Sequence, residues 1–323
     1  MAIRWGIIGC GDVAKKRVAG AIQNDPNSEL VAVCRRDEVK LRDFATEFGV
    51  SMATTSADEL IESSEIDAVY IATPVNLHCP QTISAAEAGK HVLVEKPMAM
   101  STAECDEMIA SCATADVRLG VAYYRPFYPV VHRIQELIQA GEIGKVLSVS
   151  ATTCTPFALE PDDDGYWRVL PEAGGGGALM DIGSHRLDLF LRMFGPVADV
   201  KAQCGTVAAN YQADDVATLA LRFDSGVHAV LHCCFGSTTD PDEFAVLGTE
   251  GRLVSRPLNG GGLTIEHGRD QTVEQHPPAS NFNSPLIADF SAAILENRPP
   301  LVSGEVGRDV NSVMEQAYAS SRQ

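Results

Sequence analysis

Basic residues are scarce in this 323-residue chain: 25 Lys and Arg stand against 43 Asp and Glu, a formal net charge of -18. An acidic surface of that size repels phosphate backbones and anionic bilayers, so neither nucleic acid nor a membrane is expected as a partner. Any anionic ligand needs a local basic pocket. Long apolar runs are missing too, since no uncharged stretch reaches the roughly 20 residues that span a bilayer. The first residues pass from Met1 straight into the apolar segment 3–8, without the basic stretch and cleavage site of an export signal. The expectation is a cytoplasmic protein. Paired ligand cysteines are lacking as well: the nine cysteines include no C-x-x-C spacing, and Cys10, Cys34, Cys79 and Cys204 sit in or beside apolar runs. They read as reduced thiols serving as small core residues, and no metal site is proposed.

What is present is enough apolar residue, 45% of the chain, for two cores. Up to residue 122, short Val- and Ile-rich runs alternate with segments of helical period, the pattern of a parallel sheet with crossover helices. Residues 3–8, 30–34, 68–72, 91–94 and 119–122 read as buried strands. Residues 37–48, 78–88 and 102–114 read as helices, the last with Ser101 as its N-cap. Around Tyr123 the pattern changes. A helix over 130–139 stops at Gly141, and strands are expected at 147–153, 216–223, 227–234, 244–248 and 263–267, with turns at Asp224-Ser225-Gly226 and Thr249-Glu250-Gly251. Helices over 182–194, 285–297 and 305–320 are expected to cover one face of that sheet. The fold class is therefore α/β, with a doubly wound Rossmann domain over 1–122. An α+β domain over 123–323 follows, built on an open, largely antiparallel sheet, for substrate binding and oligomerisation. An open sheet covered on one side leaves a face for a second copy, so a homo-oligomer, dimer or tetramer, is expected.

Gly9-Cys10-Gly11-Asp12-Val13-Ala14 follows a buried strand and opens a helix, which is the required context of a dinucleotide-binding fingerprint. Gly9 permits the tight turn, Gly11 lets backbone approach a pyrophosphate, and Ala14 lets the helix pack close. Helix N-terminal amides then face the phosphates. The second strand ends in Cys34-Arg35-Arg36, with no acid before Asp37. Two guanidinium groups there suit a 2'-phosphate, which favours NADP over NAD, unless the arginines are solvated or stack on adenine.

Two further segments carry chemistry. Glu95-Lys96-Pro97 follows a strand at the edge where such sheets bind ligands, so Lys96 can set a positive charge beside a substrate oxygen. An ordinary surface Glu-Lys pair is the alternative. A glycine run, 174–177, leads to Asp181 and His185, four residues apart and on one face at helical spacing. His185 can exchange a proton near neutral pH while Asp181 sets its orientation. The plain alternatives are an N-cap for Asp181 and a satisfied polar residue for His185.

Taken in order, these segments resemble the Gfo/Idh/MocA family of oxidoreductases. The likeness runs through the fingerprint at Gly9, residues 72–78, residues 88–97, Arg125, Gly144-Lys145-Val146, Trp167-Arg168 and residues 181–185. It implies a hydride-transferring enzyme acting with NADP or NAD on a small sugar-like molecule. It implies catalytic roles for Lys96, Asp181 and His185. It further implies that Thr73, Pro74, Asn76, His78, Glu95 and Pro97 border the cofactor, with Trp167 and Arg168 contributing from the second domain. Arg125 is open to two readings, a substrate contact or a hinge salt bridge. Two rivals remain: a closed redox cycle with a retained cofactor, and a dinucleotide sensor without catalysis.

Overall fold

Five of the six residues of the strand Ile3–Ile8 are buried, as a strand covered on both faces must be. In the computed structural model, which describes residues 2–322, this strand is β1 of a six-stranded sheet. Its partners are β2 (Ser28–Cys34), β3 (Met52–Thr54), β4 (Ala68–Ile71), β5 (His91–Val94) and β6 (Leu119–Val121), in the order β3-β2-β1-β4-β5-β6 and parallel throughout. The crossovers hold α1 (Ala19–Asn24), α2 (Glu38–Phe48), α3 (Ala57–Glu62), α4 (His78–Glu87) and α5 (Thr102–Thr114). A single π-helical turn, Ala14–Val18, precedes α1. Ser101 caps α5 as expected, its Oγ accepting from the Glu104 N–H at 3.2 Å. The strand order reverses between β1 and β4, and ligands of doubly wound sheets bind at that switch point.

The chain divides into two compact units, Met1–Tyr124 with Asn281–Asn311, and Arg125–Ser280 with Ser312–Gln323. The second begins with α6 (Pro129–Gln139), β7 (Val146–Cys154), α7 (Pro171–Gly174) and α8 (Ser184–Phe194). Its remaining strands are β8 (Val197–Gly205), β9 (Val216–Phe223), β10 (His228–Cys234), β11 (Asp242–Gly248), β12 (Arg252–Ser255), β13 (Gly262–His267) and β14 (Asp270–Gln275). They form one sheet, β14-β13-β12-β11-β7-β10-β9-β8, antiparallel except where β7 meets β10. Strand β9 shows why the sheet is one-sided. Ala217, Leu219, Leu221 and Phe223 are buried while Thr218, Ala220 and Arg222 are exposed, the period of two that separates a core face from an open one. Helix α8 packs on the core face, with Phe190 against Phe244 at 5.8 Å and Phe194 against Phe223 at 5.6 Å between ring centroids.

The helices α9 (Ser284–Leu295) and α10 (Gly304–Ser321) correct the linear reading. Expected on the second sheet, α9 and the first part of α10, to Asn311, belong to the first unit. Phe290 of α9 lies 5.6 Å from Trp5 of β1 and directly over Gly120, where a Cβ would approach it to 2.8 Å. Asn311 of α10 donates from Nδ2 to the Ala99 carbonyl at 2.7 Å. An amphipathic stripe says that a helix packs, and not which sheet receives it. Strands β3, β8, β12 and β14 were not foreseen either. β3 and β12 are short, and β14 is polar, so neither an apolar run nor an alternation marks them. Among the described residues, no helix is long and apolar enough to cross a membrane.

If α9 is part of the first core, Phe290→Ala should cost roughly 3–5 kcal/mol, the usual loss for a buried ring. Urea unfolding followed by Trp5 fluorescence is the check, and an unchanged midpoint would put the helix elsewhere.

Candidate active site

At the carboxyl edge of the first sheet, the turn after β1 is pinned by backbone. Gly9 N and Cys10 N donate to the Cys34 carbonyl at 2.9 and 3.2 Å, and Gly11 N donates to Gly9 O at 2.7 Å. Gly9 has φ +92°, and a Cβ there would reach the Ala72 carbonyl at 2.7 Å and Thr73 N at 2.9 Å. Its lack of a side chain is dictated by the protein itself. Gly11 is different. Its φ is unremarkable, and the nearest atom to an added Cβ is 3.9 Å away. Nothing in the fold requires glycine there, so the space beside it fits a dinucleotide pyrophosphate approaching the backbone. Ala14 is fully buried against the sheet, Val13 is half-buried, and Asp12 is exposed in an i,i+4 pair with Lys16 at 2.9 Å. Burial pushes the Cys10 thiol up to about 12, which keeps it protonated and unreactive.

The end of β2 presents Arg35 and Arg36. Arg35 is half-buried, its Nη1 bonded to the Cys10 carbonyl of the glycine turn, and Arg36 is exposed. The neighbouring acid, Asp37, caps α2 by accepting from Val39 N and Lys40 N, both at 3.0 Å. Those bonds, the one from Lys40 foremost, hold its carboxyl below its ordinary value. That carboxylate is occupied by its own helix.

The loops after β4 and β5 lie side by side. Thr73 Oγ1 donates to Gln81 at 2.7 Å, Pro74 leads into a 3-10 turn (Val75–Leu77), and Asn76 of that turn is exposed. His78 is fully buried and joins the two loops, Nε2 lying 2.9 Å from Thr73 O and Nδ1 3.1 Å from Pro97 O. Burial pulls its imidazole below its ordinary value, so the ring is neutral and fixes backbone through one N–H. Lys96 precedes a cis bond to Pro97. Glu95 anchors the segment twice: Oε1 accepts from the buried Tyr70 hydroxyl at 2.7 Å, and Oε2 accepts from the Lys96 N–H at 3.1 Å. Burial, with the Glu95 charge, drives the Tyr70 hydroxyl well above its usual value, so it remains a donor. Asn283 Nδ2 adds a 3.4 Å bond to the same oxygen. Tyr70 and Asn283 were not anticipated, because a tyrosine inside an apolar strand and an asparagine beyond residue 280 carry no local signal.

In the second unit, the glycine run does not enter an ordinary α-helix. Leu179–Gly183 wind as one π turn before α8 begins at Ser184, a feature that often marks functional positions. Asp181 stands within this π turn and His185 follows in the first turn of α8. Asp181 is half-buried and faces Arg168 at 3.8 Å, whereas His185 is buried at 4% exposure. Arg168 in turn stacks on Trp167, its Cζ 4.6 Å from the ring centroid. Arg125 is also buried, and it contributes charge to an interior cluster on α8. There burial pushes the Asp188 carboxyl up to about 7 against the opposing pull of Arg192 and Arg125. Two residues before Asp188, the fully buried Arg186 bonds Asp242.

A family model described as an oxidoreductase family with an NAD-binding Rossmann fold matches residues 3–123. The model of the GFO/IDH/MocA C-terminal domain matches residues 131–254. The chain is similar to 1,5-anhydro-D-fructose reductase of Ensifer adhaerens, 32% identical over 94% of this chain and 92% of the relative. It is also similar to D-xylose 1-dehydrogenase (NADP(+)) 2 of Haloferax volcanii, 30% identical over 98% of this chain and 97% of the relative. Among solved structures, the aldose-aldose oxidoreductase from Caulobacter crescentus complexed with glycerol superposes with a TM-score of 0.91, at 28% identity, covering 100% of this chain and 98% of that one.

The two glycines of the turn should separate under mutation. Gly11→Ala should leave the melting temperature within about 2 °C while weakening dinucleotide binding at least about tenfold, since the added Cβ meets no protein atom nearer than 3.9 Å. Gly9→Ala should lower the melting temperature. Equal behaviour in thermal melts and nucleotide titrations would refute this division of roles.

Proposed function

The chain belongs to the GFO/IDH/MocA family of oxidoreductases, and from that premise we propose how its own residues divide the work on a sugar or polyol substrate. It is an NAD(P)-dependent oxidoreductase acting at a hydroxyl or carbonyl carbon. The bound dinucleotide supplies the hydride acceptor or donor. The Gly9–Ala14 turn carries the pyrophosphate, and Thr73, Pro74, Asn76 and the Glu95-Lys96-Pro97 segment border the nicotinamide half. His78 serves that half by tying the two loops together. NADP is favoured over NAD, because Arg35 is fixed against the glycine turn while the nearest carboxylate, Asp37, is committed to capping α2. The NADP(+)-dependent xylose dehydrogenase among the relatives supports that choice.

Catalysis needs a cation at the developing oxyanion and a base for the hydroxyl proton. We assign the first role to Lys96 and the second to His185. The observation that carries the assignment is the double anchor on Glu95, which fixes the backbone of Lys96 at the switch-point edge of the sheet. Asp181, charge-paired with Arg168, is set as the acid beside the base. Trp167 holds the Arg168 guanidinium from its other face. For Arg125, burial and its charge relation to Asp188 support a structural ion pair over a substrate contact. A closed cycle between two aldoses draws support from the aldose-aldose oxidoreductase. Cofactor retained through turnover would select it.

The open face of the second sheet, with Leu147, Val230 and Leu247 each more than two-fifths exposed, supports assembly with a second copy. Nine free cysteines fit a reducing, cytoplasmic setting.

Lys96→Ala and His185→Ala should each lower kcat by roughly 10²–10⁴, the usual worth of a positioned acid or base, with dinucleotide affinity nearly unchanged. A spectrophotometric screen of aldoses and polyols with NADP+ and NAD+ provides the assay, and full turnover in either variant would remove that residue from the chemistry. Sedimentation at micromolar concentration should show a dimer or larger; a monomer would contradict the sheet-face assembly.

A further inference from the structure

The residues assigned to proton transfer sit at the end of a chain segment that cannot hold itself. Residues 174–177 are four consecutive glycines, with no side chain to pack and the largest backbone entropy of any residue type. Yet Gly176 and Gly177 are buried, and the π turn that follows them carries Asp181 and leads to His185. Something outside the segment must fix it.

Gly174 and Gly175 donate back to the Leu170 and Pro171 carbonyls at 2.8 and 3.0 Å, and the remainder of the run is held by one acidic residue. Asp214 is 7% exposed, and its Oδ1 accepts from Gly177 N at 2.8 Å while its Oδ2 accepts from Leu179 N at 2.9 Å. Its backbone carbonyl accepts from the intervening Ala178 N at 2.9 Å. Three successive N–H groups at the start of the turn, which no helical carbonyl can serve, therefore all end on Asp214. The Tyr318 hydroxyl of α10 completes the set by donating to Oδ1 at 2.7 Å. The glycines are fitted to this clamp. A Cβ on Gly177 would collide with the Asp214 carbonyl, and one on Gly176 would collide with the Tyr318 hydroxyl. The adjacent Asp215 performs a separate task, taking the N–H groups of Val207, Ala208 and Ala209 at 2.7, 2.7 and 2.8 Å.

We infer that Asp214, seconded by Tyr318, is the positioning residue of this reaction: it locks the glycine run and thereby sets where Asp181 and His185 stand. The inference rests on the assignment of His185 above. The chemistry of the donor set makes the carboxylate specific, because every group facing it is a donor. Asparagine in its place must turn its NH2 either toward Leu179 N–H or toward Gly177 N–H, leaving one backbone N–H unpaired in each orientation.

The test compares the full-length Asp214→Asn and Tyr318→Phe proteins with the parent by hydrogen exchange, by the ring resonances of His185, and by steady-state kinetics. In Asp214→Asn, amide exchange over residues 175–183 should rise at least about tenfold while the Rossmann strands keep their protection, and the His185 ring signals should move. With a sugar that the parent oxidises, kcat should fall about tenfold or more while the KM for the dinucleotide stays within about threefold, because a displaced base affects the chemical step and not cofactor binding. Tyr318→Phe should show the same pattern to a smaller degree, and it decides the matter if Asp214→Asn does not fold. Unchanged exchange and unchanged His185 signals in a folded variant would overturn the clamp, as would a loss confined to the dinucleotide KM. A parent that oxidises no sugar would end the oxidoreductase reading, while exchange and ring signals would still decide the clamp.

Discussion

Two carboxylates that accept from neighbouring donors, half-buried Glu95 and buried Asp214, fix the two segments to which we assign the chemistry. Glu95 receives the Tyr70 hydroxyl and the Lys96 N–H, and Asp214 receives the Tyr318 hydroxyl and the N–H groups of Gly177 and Leu179. In each case the segment served is a poor self-anchor: a proline-terminated loop in one unit, a glycine run in the other. A charged acceptor strengthens each bond and penalises any rearrangement that would leave a backbone N–H unpaired. The tyrosine contributes rigidity from a neighbouring element, and burial keeps its hydroxyl protonated for that purpose. Lys96 and Asp181 thus sit on segments that are individually loose and collectively fixed, the preorganisation that the proposed chemistry calls for.

The glycines of the chain fall into distinct physical kinds once neighbours are known. Gly9 is required by its left-handed backbone and by the backbone of residues 72–73. Gly120 and Gly177 are required by close packing, against Phe290 and against the Asp214 carbonyl. Gly11 is required by nothing inside the fold, and that freedom is what its proposed role beside a pyrophosphate rests on. The burial of α8 shows a parallel economy. Arg186 and Asp188 are fully buried near His185, with Asp242 opposite the first and Arg192 opposite the second.

Apart from β3 and α3, the alternating strands and helices of the first 122 residues were legible in the sequence, as were the fingerprint at Gly9, the segment at Lys96 and the switch to an antiparallel sheet after Tyr123. Each is a local property: a period of two or 3.6, or a turn demanding a particular residue type. Asp214 had a faint local trace as half of an acidic pair preceding the alternating strand β9, but no spacing linked it to residues 177–179. Tyr70 and Asn283 had none.

By itself, then, the sequence determined most of the apolar strands and the longer helices, where a dinucleotide could approach backbone, and which side chains could carry a proton or stabilise an oxyanion. Tertiary structure alone decided that α9 rejoins the first sheet, that Asp181 faces Arg168 from a π turn, and that Tyr70 and Asp214 bond Glu95 and the glycine run. The physical reason is range. Periodicity and turn chemistry act over a few residues, whereas a hydrogen bond across 37 positions between Gly177 and Asp214 exists only after the core has closed around both.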